Sequence, residues 1–300
     1  MLFDPETGEL LPLENVSVFM ADDLLGEGPH WNQRTGLLSR VDIHGGRLRT
    51  CDPVTGAQTS QDFEAPLSFA IPRRAGGYVM GLRLSVVLVD VDGSRRILAD
   101  LSEAISDNRF NDAVCDSQGR LWAGTMSLKR PRATGEAALF RVDPDGAYEQ
   151  VLDGLTLSNG MDWPDDATLL HVDSDAYRID RYTVDADGRL GDHTVFAETG
   201  MDDGLPDGLT IDKEGCIWVA FFGGGVVRRW DPSGNELMRM RLPITCASSV
   251  AFGGPDLGDL FVTTSRHRLT PAEAARQPLA GSMLRLRPGV RGRIGFDFAG

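Results

Sequence analysis

Six polar side chains recur at one place in a repeated stretch of this 300-residue chain: Glu27, Ser68, Asn111, Asn159, Asp207 and Ser248. Each stands five residues before the residue that enters a turn between two apolar runs, as Asp207 does in LPDGLTIDKEGCIWVA. Glu27, Asn159 and Asp207 supply two carboxylates and an amide carbonyl. These are hard oxygen donors, suited to Ca²⁺, Mg²⁺ or Mn²⁺ with waters completing the shell. The histidines His30, His44, His171, His193 and His267 are dispersed and none joins this ring. A His-rich zinc cage is therefore disfavoured, although Zn²⁺ also accepts carboxylate oxygen. The competing reading is that these residues hydrate a channel or cap strand ends, as Asn and Asp do at turns. Recurrence in six copies favours a site. Serine catalysis competes poorly, because no G-x-S-x-G occurs and neither Ser68 nor Ser248 has a histidine near it in sequence. Gly223-Gly224-Gly225 lacks the following Lys-Ser/Thr of a phosphate loop and reads as a turn.

What must position these residues is a unit that repeats about every 40 to 50 residues, the period of a four-stranded propeller blade. The copies begin at Gly26, Pro66, Phe110, Leu157, Leu205 and Cys246. Five of them are followed by a second strand pair around a turn such as DPVTG, DPDG or DPSG. In such turns Gly supplies positive φ and Pro presets the first turn residue. Six units of about four strands predict an all-β chain, a six-bladed β-propeller with a central metal site, forming a single domain over residues 1–300. The first strand of each blade lines the channel, which brings the six polar positions to one axis. The stretch NVSVFM from Asn15 is left over as a lone strand, expected to pair with Met283–Leu286 or Ile294–Phe298 and remove an exposed edge. Only PAEAARQ, from Pro271, reads as a helix. Trp122, Trp163 and Trp218 recur in or beside strands and read as packing between blades rather than sugar-stacking platforms. Asp173 reads as a turn carboxylate, the alternative being support for Asn159.

The net charge of -14 argues against nucleic acid or an anionic membrane surface as partner. No run of about 18 apolar residues could span a bilayer, and the acidic N-terminal stretch lacks the basic and apolar regions of a secretory signal. Cys51, Cys115, Cys216 and Cys246 lie far apart without CxxC spacing. They read as buried free thiols, and the expected compartment is the cytoplasm. Oligomeric state is not legible in the sequence.

The chain resembles the senescence marker protein/gluconolactonase family over nearly its full length. The resemblance rests on GEGPHW at Gly26, NRFNDAVCDSQGRLWAGTM at Asn108, SNGMDW at Ser158, PDGLTIDKEGCIWVA at Pro206, FGG at Phe252 and RQP at Arg276. It implies a six-bladed propeller holding one divalent metal ion (Ca, Zn, Mg or Mn), with lactone hydrolysis the commonest activity. The family's metal ligands fall on Glu27, Asn159 and Asp207, and its substrate contacts on Arg109 and Asn111. Regucalcin-like members carry an acidic residue where this chain has Lys129 in SLKRPR. A solvated basic loop is one reading of that departure. The other is that Lys129 or Arg130, with Arg109, pairs with a carboxylate of an aldarolactone.

The expected function is therefore divalent-metal-dependent hydrolysis of a sugar lactone, an aldonolactone or aldarolactone, with Asp207 as catalytic general base. Two alternatives stand beside it: a metal-dependent esterase or phosphotriesterase using the same Lewis-acid centre, and a non-enzymatic calcium- or protein-binding propeller. Fold alone does not choose among them.

Overall fold

The computed structural model describes residues 2–3, 10–11, 16–129 and 134–300. Among these, six four-stranded antiparallel sheets form a six-bladed β-propeller, preceded by a two-stranded sheet of Leu2–Phe3 and Leu10–Leu11. The inner strands of the blades are Gly26–Asn32, Leu67–Pro72, Asn108–Cys115, Ser158–Asp165, Leu205–Ile211 and Ala247–Gly253. Each inner strand adjoins the next, and the sixth meets the first, so the ring is complete. Five blades are consecutive meanders. The sixth runs Ala247–Gly253, Asp259–Thr264, Met283–Leu286 and then Ser17–Phe19, with Met283 opposite Phe19 and Leu284 opposite Val18. The lone N-terminal strand thus closes the ring on the first of its two expected partners. Phe298 instead makes an isolated bridge to Arg73.

Burial follows strand rank. The second strands Leu121–Ser127 and Asp259–Thr264 are buried at every position, flanked by sheets on either side. The outermost strand Gln58–Asp62 is exposed throughout and wholly polar, an edge that offers no apolar surface to another chain. Apolar clusters fill the spaces between blades, as Trp218, Val227, Val250, Phe252 and Leu284 do between blades 5 and 6. The tryptophans are core. Trp122 meets Trp163 edge-to-face at 5.1 Å, and the indole N–H groups of Trp122 and Trp218 donate to Asp116 and Asp212, both at 2.9 Å. Those aspartates also open the inner turns, so D-x-x-G-x-x-W is a device that fastens a turn to the core. All four cysteines are buried and free. The short helix is Pro271–Arg276, capped by Thr270 and Glu273 in a capping box.

Candidate active site

Two strand directions decide what can reach the site. Inner strands start at one end of the channel, and second strands return to that end. Residues that enter an inner strand and residues that leave a second strand therefore share one face. A cavity of about 330 Å³ opens there. Glu27, Arg109, Asn111, Asn159, Leu205 and Asp207 line it from four inner strands, and Leu25, Pro66 and Leu157 from segments entering inner strands. Met126, Ser174, Phe222 and His267 come from the ends of second strands or the loops after them.

Local irregularity aims the polar side chains. In blades 3, 4 and 5 the ladder between first and second strands lapses over two residues, Asn111-Asp112, Asn159-Gly160 and Asp207-Gly208, and in blade 1 it lapses just after Glu27. Such bulges re-aim a side chain that a regular pleat would send elsewhere. Blades 2 and 6 skip only Ser68 and Ser248. Those serines do not line the cavity: Ser68 Oγ donates to Phe110 O at 2.7 Å and Ser248 Oγ to Gly26 O at 2.5 Å. This corrects the sixfold expectation, because two of the six positions join neighbouring inner strands instead of facing the axis. Close approach of the strands requires glycine at two places. A Cβ on Gly160 would lie 2.4 Å from Leu209 N, and one on Gly208 would lie 2.0 Å from Ser249 Oγ.

Glu27, Asn159 and Asp207 are nearly fully buried. Burial pushes the Glu27 carboxyl well above the usual carboxylate range, and the negative charges of Asp207 and Asp112 push it further. Burial and then Asp112 raise Asp207 likewise, against the lowering pull of the Asn159 amide and Arg109. Asp112 itself projects into a second cavity of about 90 Å³, with burial driving its carboxyl up to about 6. Asn159 Nδ2 donates to Ser174 Oγ at 3.0 Å, while Asn159 Oδ1 and Asp207 Oδ1 are buried without a hydrogen-bond partner. Two mutually repelling carboxylates and two orphaned oxygens in one cavity make a donor set that fits a divalent cation.

Beside them, Arg109 Nη1 donates to Asn111 Oδ1 at 2.9 Å and to Phe110 O at 2.7 Å, and Asn111 Nδ2 donates to Ser158 O at 3.0 Å. The pair is buried and held in place before any ligand arrives. Ser158 in turn shares a 2.8 Å hydrogen bond with His171, whose burial lowers its pKa to about 4. Asp173 accepts from the backbone N–H groups of Thr156 and Leu157 at 3.1 and 3.0 Å, so it orders the segment entering the Asn159 strand.

A family model described as the SMP-30/gluconolactonase/LRE-like region matches residues 25–266. The chain belongs to the SMP-30/gluconolactonase/LRE-like family. Regucalcin from Xenopus laevis is 35% identical over 284 residues, covering 92% of this chain and 95% of its own length. A 6-deoxy-6-sulfogluconolactonase from Pseudomonas putida is 36% identical over 280 residues, covering 92% and 96%. Among solved structures, a protein described as calcium-binding regucalcin from Agrobacterium tumefaciens superposes with a TM-score of 0.88 at 28% identity, covering 94% of this chain and 96% of its own.

Within this SMP-30/gluconolactonase/LRE-like propeller, Lys129 stands apart from the other expected site residues. Its Nζ lies 2.8 Å from Glu136 and 3.9 Å from Asp107 on the surface, and only its neighbour Leu128 lines the cavity. Arg130 lies outside the described residues. Sequence reasoning missed His44, His267 and Arg268, which line the cavity from loops after second strands. The signal was available: VDIH and TTSRHR each run past the end of a second strand at the face where inner strands begin. Among the described residues, Asp212, Glu214 and Cys216 also bring three possible ligand atoms together. That cluster already surrounds Arg229, which donates to Asp212 at 2.7 Å and to Glu214 at 2.6 Å. No helix of the described residues is long and apolar enough to cross a membrane.

Proposed function

We propose that this protein is a lactonase that opens a sugar lactone to the sugar acid with the help of one divalent cation held by Glu27, Asn159 and Asp207. The observation that carries the reading is the pair of orphaned oxygens, Asn159 Oδ1 and Asp207 Oδ1, beside the preset Arg109–Asn111 pair in a single cavity. The names of the similar proteins support it: one is a sulfogluconolactonase and another a calcium-binding protein. The cavity volume lies at the lower end for small-molecule sites, which suits a single sugar ring.

A bound dication supplies Lewis acidity at the lactone carbonyl and at the attacking water. The remaining tasks fall to the chain. Asp207 accepts the proton of the incoming water, whose oxygen bonds to the carbonyl carbon. The ring C–O bond then breaks, and that proton passes to the departing ring oxygen. Asn111 and Arg109 are placed to hydrogen-bond substrate oxygens, with their own geometry fixed by Ser158 O and Phe110 O. The apolar wall of Leu157, Leu205, Met126 and Phe222 limits water around these polar groups.

The test is a pH-indicator hydrolysis screen of aldono- and aldarolactones on chelator-stripped protein, with Ca²⁺, Mg²⁺, Mn²⁺ or Zn²⁺ restored singly and an aryl ester and a phosphotriester in parallel. Turnover of lactones only after metal is restored is the expected result. Fast hydrolysis by the stripped protein, or hydrolysis of the esters alone, would sink the proposal.

A further inference from the structure

The rim of the cavity carries a charge opposite to that of the molecule. The chain has 44 acidic against 30 basic residues, and among the described residues Arg268 is the one exposed arginine that lines the cavity, where it forms no ion pair. The residues lining the cavity include just two carboxylates, Glu27 and Asp207, both buried within it. Next to Arg268 the His267 and His44 rings pack with centroids 4.6 Å apart, joining the loops of blades 6 and 1.

This rim is anchored. The backbone N–H groups of Arg266 and His267 donate to Leu24 O at 3.1 and 2.8 Å, and Ser265 Oγ donates to the same oxygen at 2.8 Å. Leu24 lies three residues before Glu27, so the loop bearing Arg268 is tied to the strand that carries a site carboxylate. Arg268 itself has a φ of 72°, a left-handed conformation that non-glycine residues rarely adopt and that recurs at ligand sites. An unpaired guanidinium held over a cavity in a strongly acidic chain reverses the local field where an anion would enter.

We infer that Arg268, flanked by His267 and His44, recognises a negatively charged group on the substrate remote from the lactone carbonyl. The substrate class is then a sugar lactone with a second anionic group, a carboxylate or a sulfonate. The inference rests on the lactonase reading for its turnover test and stands apart from it in its binding test.

The experiment compares kcat/KM for an aldarolactone, a lactone bearing a terminal sulfonate and a neutral aldonolactone in wild type, Arg268→Asn and Arg268→Lys. Asn tolerates the left-handed backbone, so folding is kept. The ratio of anionic to neutral kcat/KM is expected to fall about tenfold in Arg268→Asn, mainly through KM, and to recover in Arg268→Lys. The wild-type ratio is also expected to decline with added salt. An unchanged ratio in Arg268→Asn overturns the inference, and loss for only one of the two anions supports it for that anion. If no lactone is hydrolysed, the lactonase reading fails, and calorimetric titration with the open-chain diacid and monoacid still decides: equal affinities in wild type, or no loss of the diacid's advantage in Arg268→Asn, overturn it.

Discussion

At the scale of single residues, the site concentrates like charge where burial makes it costly. Glu27 and Asp207 are buried carboxylates that repel each other and the nearby Asp112, and burial dominates the upward shift of both. Removing one of these charges therefore has opposite consequences with and without metal. Glu27→Gln and Asp207→Asn are each expected to raise the melting temperature of stripped protein and to abolish most of the further rise that a saturating divalent cation produces. For a ligand at about 100 times its Kd that rise corresponds to about 2.7 kcal/mol in wild type. Scanning calorimetry with and without Ca²⁺ measures both halves. A stripped Asp207→Asn protein less stable than wild type would mean that the carboxylate serves packing rather than a cation. Turnover should drop by at least about a thousandfold in Asp207→Asn, since the proton acceptor is gone. That Glu27, Asn111, Asn159 and Asp207 share one place was legible because recurrence marks all four positions. Arg268 was not, since an arginine in a loop shows no partner, or lack of one, until the neighbouring blade is in place.

At the scale of strands, the hairpins could be read directly while the direction of each side chain could not. Apolar runs around polar turns marked all six inner pairs, down to the turn at Asp212–Gly215, and Asp-Pro or Asp-Gly turns marked outer pairs. Counting residues back from the turn assumes an unbroken pleat, however, and every inner strand breaks it. Asn111, Asn159 and Asp207 head two-residue lapses and face the cavity; Ser68 and Ser248 are single skipped residues and bond across to the next blade. The count located the irregularity without revealing its length. Gly160 shows how tightly those bulges are packed, with a Cβ placed 2.4 Å from Leu209 N and 2.5 Å from Asp207 O. Because the obstacles are backbone atoms, Gly160→Ala must push blades 4 and 5 apart. It should cost about 1–3 kcal/mol in urea unfolding and lower kcat by displacing Asn159 and Asp207 together. A variant with wild-type stability and activity would show that the strands can separate freely there.

For the whole molecule, the decisive feature is that one blade is built from both ends of the chain, so strand pairing as well as packing between blades closes the ring. The expected closure by NVSVFM holds for Ser17–Phe19 and fails for the Ile294–Phe298 alternative, because Met283–Leu286 alone presents an unpaired edge beside Asp259–Thr264. Phe19 makes that closure more than a hydrogen-bonded seam. It is 7% exposed, lies 6.2 Å from Phe261 ring to ring, and shares a cluster with Met283 from blade 6 and with Trp31, Leu38 and Cys51 from blade 1. One side chain from the N-terminal strand thus packs across the junction between the last blade and the first. Truncating it leaves a cavity at the seam between Met283–Leu286 and Ser17–Phe19, the one pair of neighbouring strands within a blade that no connecting turn joins, so Phe19→Ala should cost about 3–5 kcal/mol. The loss should also be uneven. Hydrogen exchange is expected to rise first in Ser17–Phe19, Met283–Leu286 and Gly26–Asn32, with blades 3 and 4 still protected, because opening at the seam exposes those edges without unfolding the opposite side. Uniform loss of protection around the ring would instead mean that the six blades unfold as one unit, whatever the seam contributes.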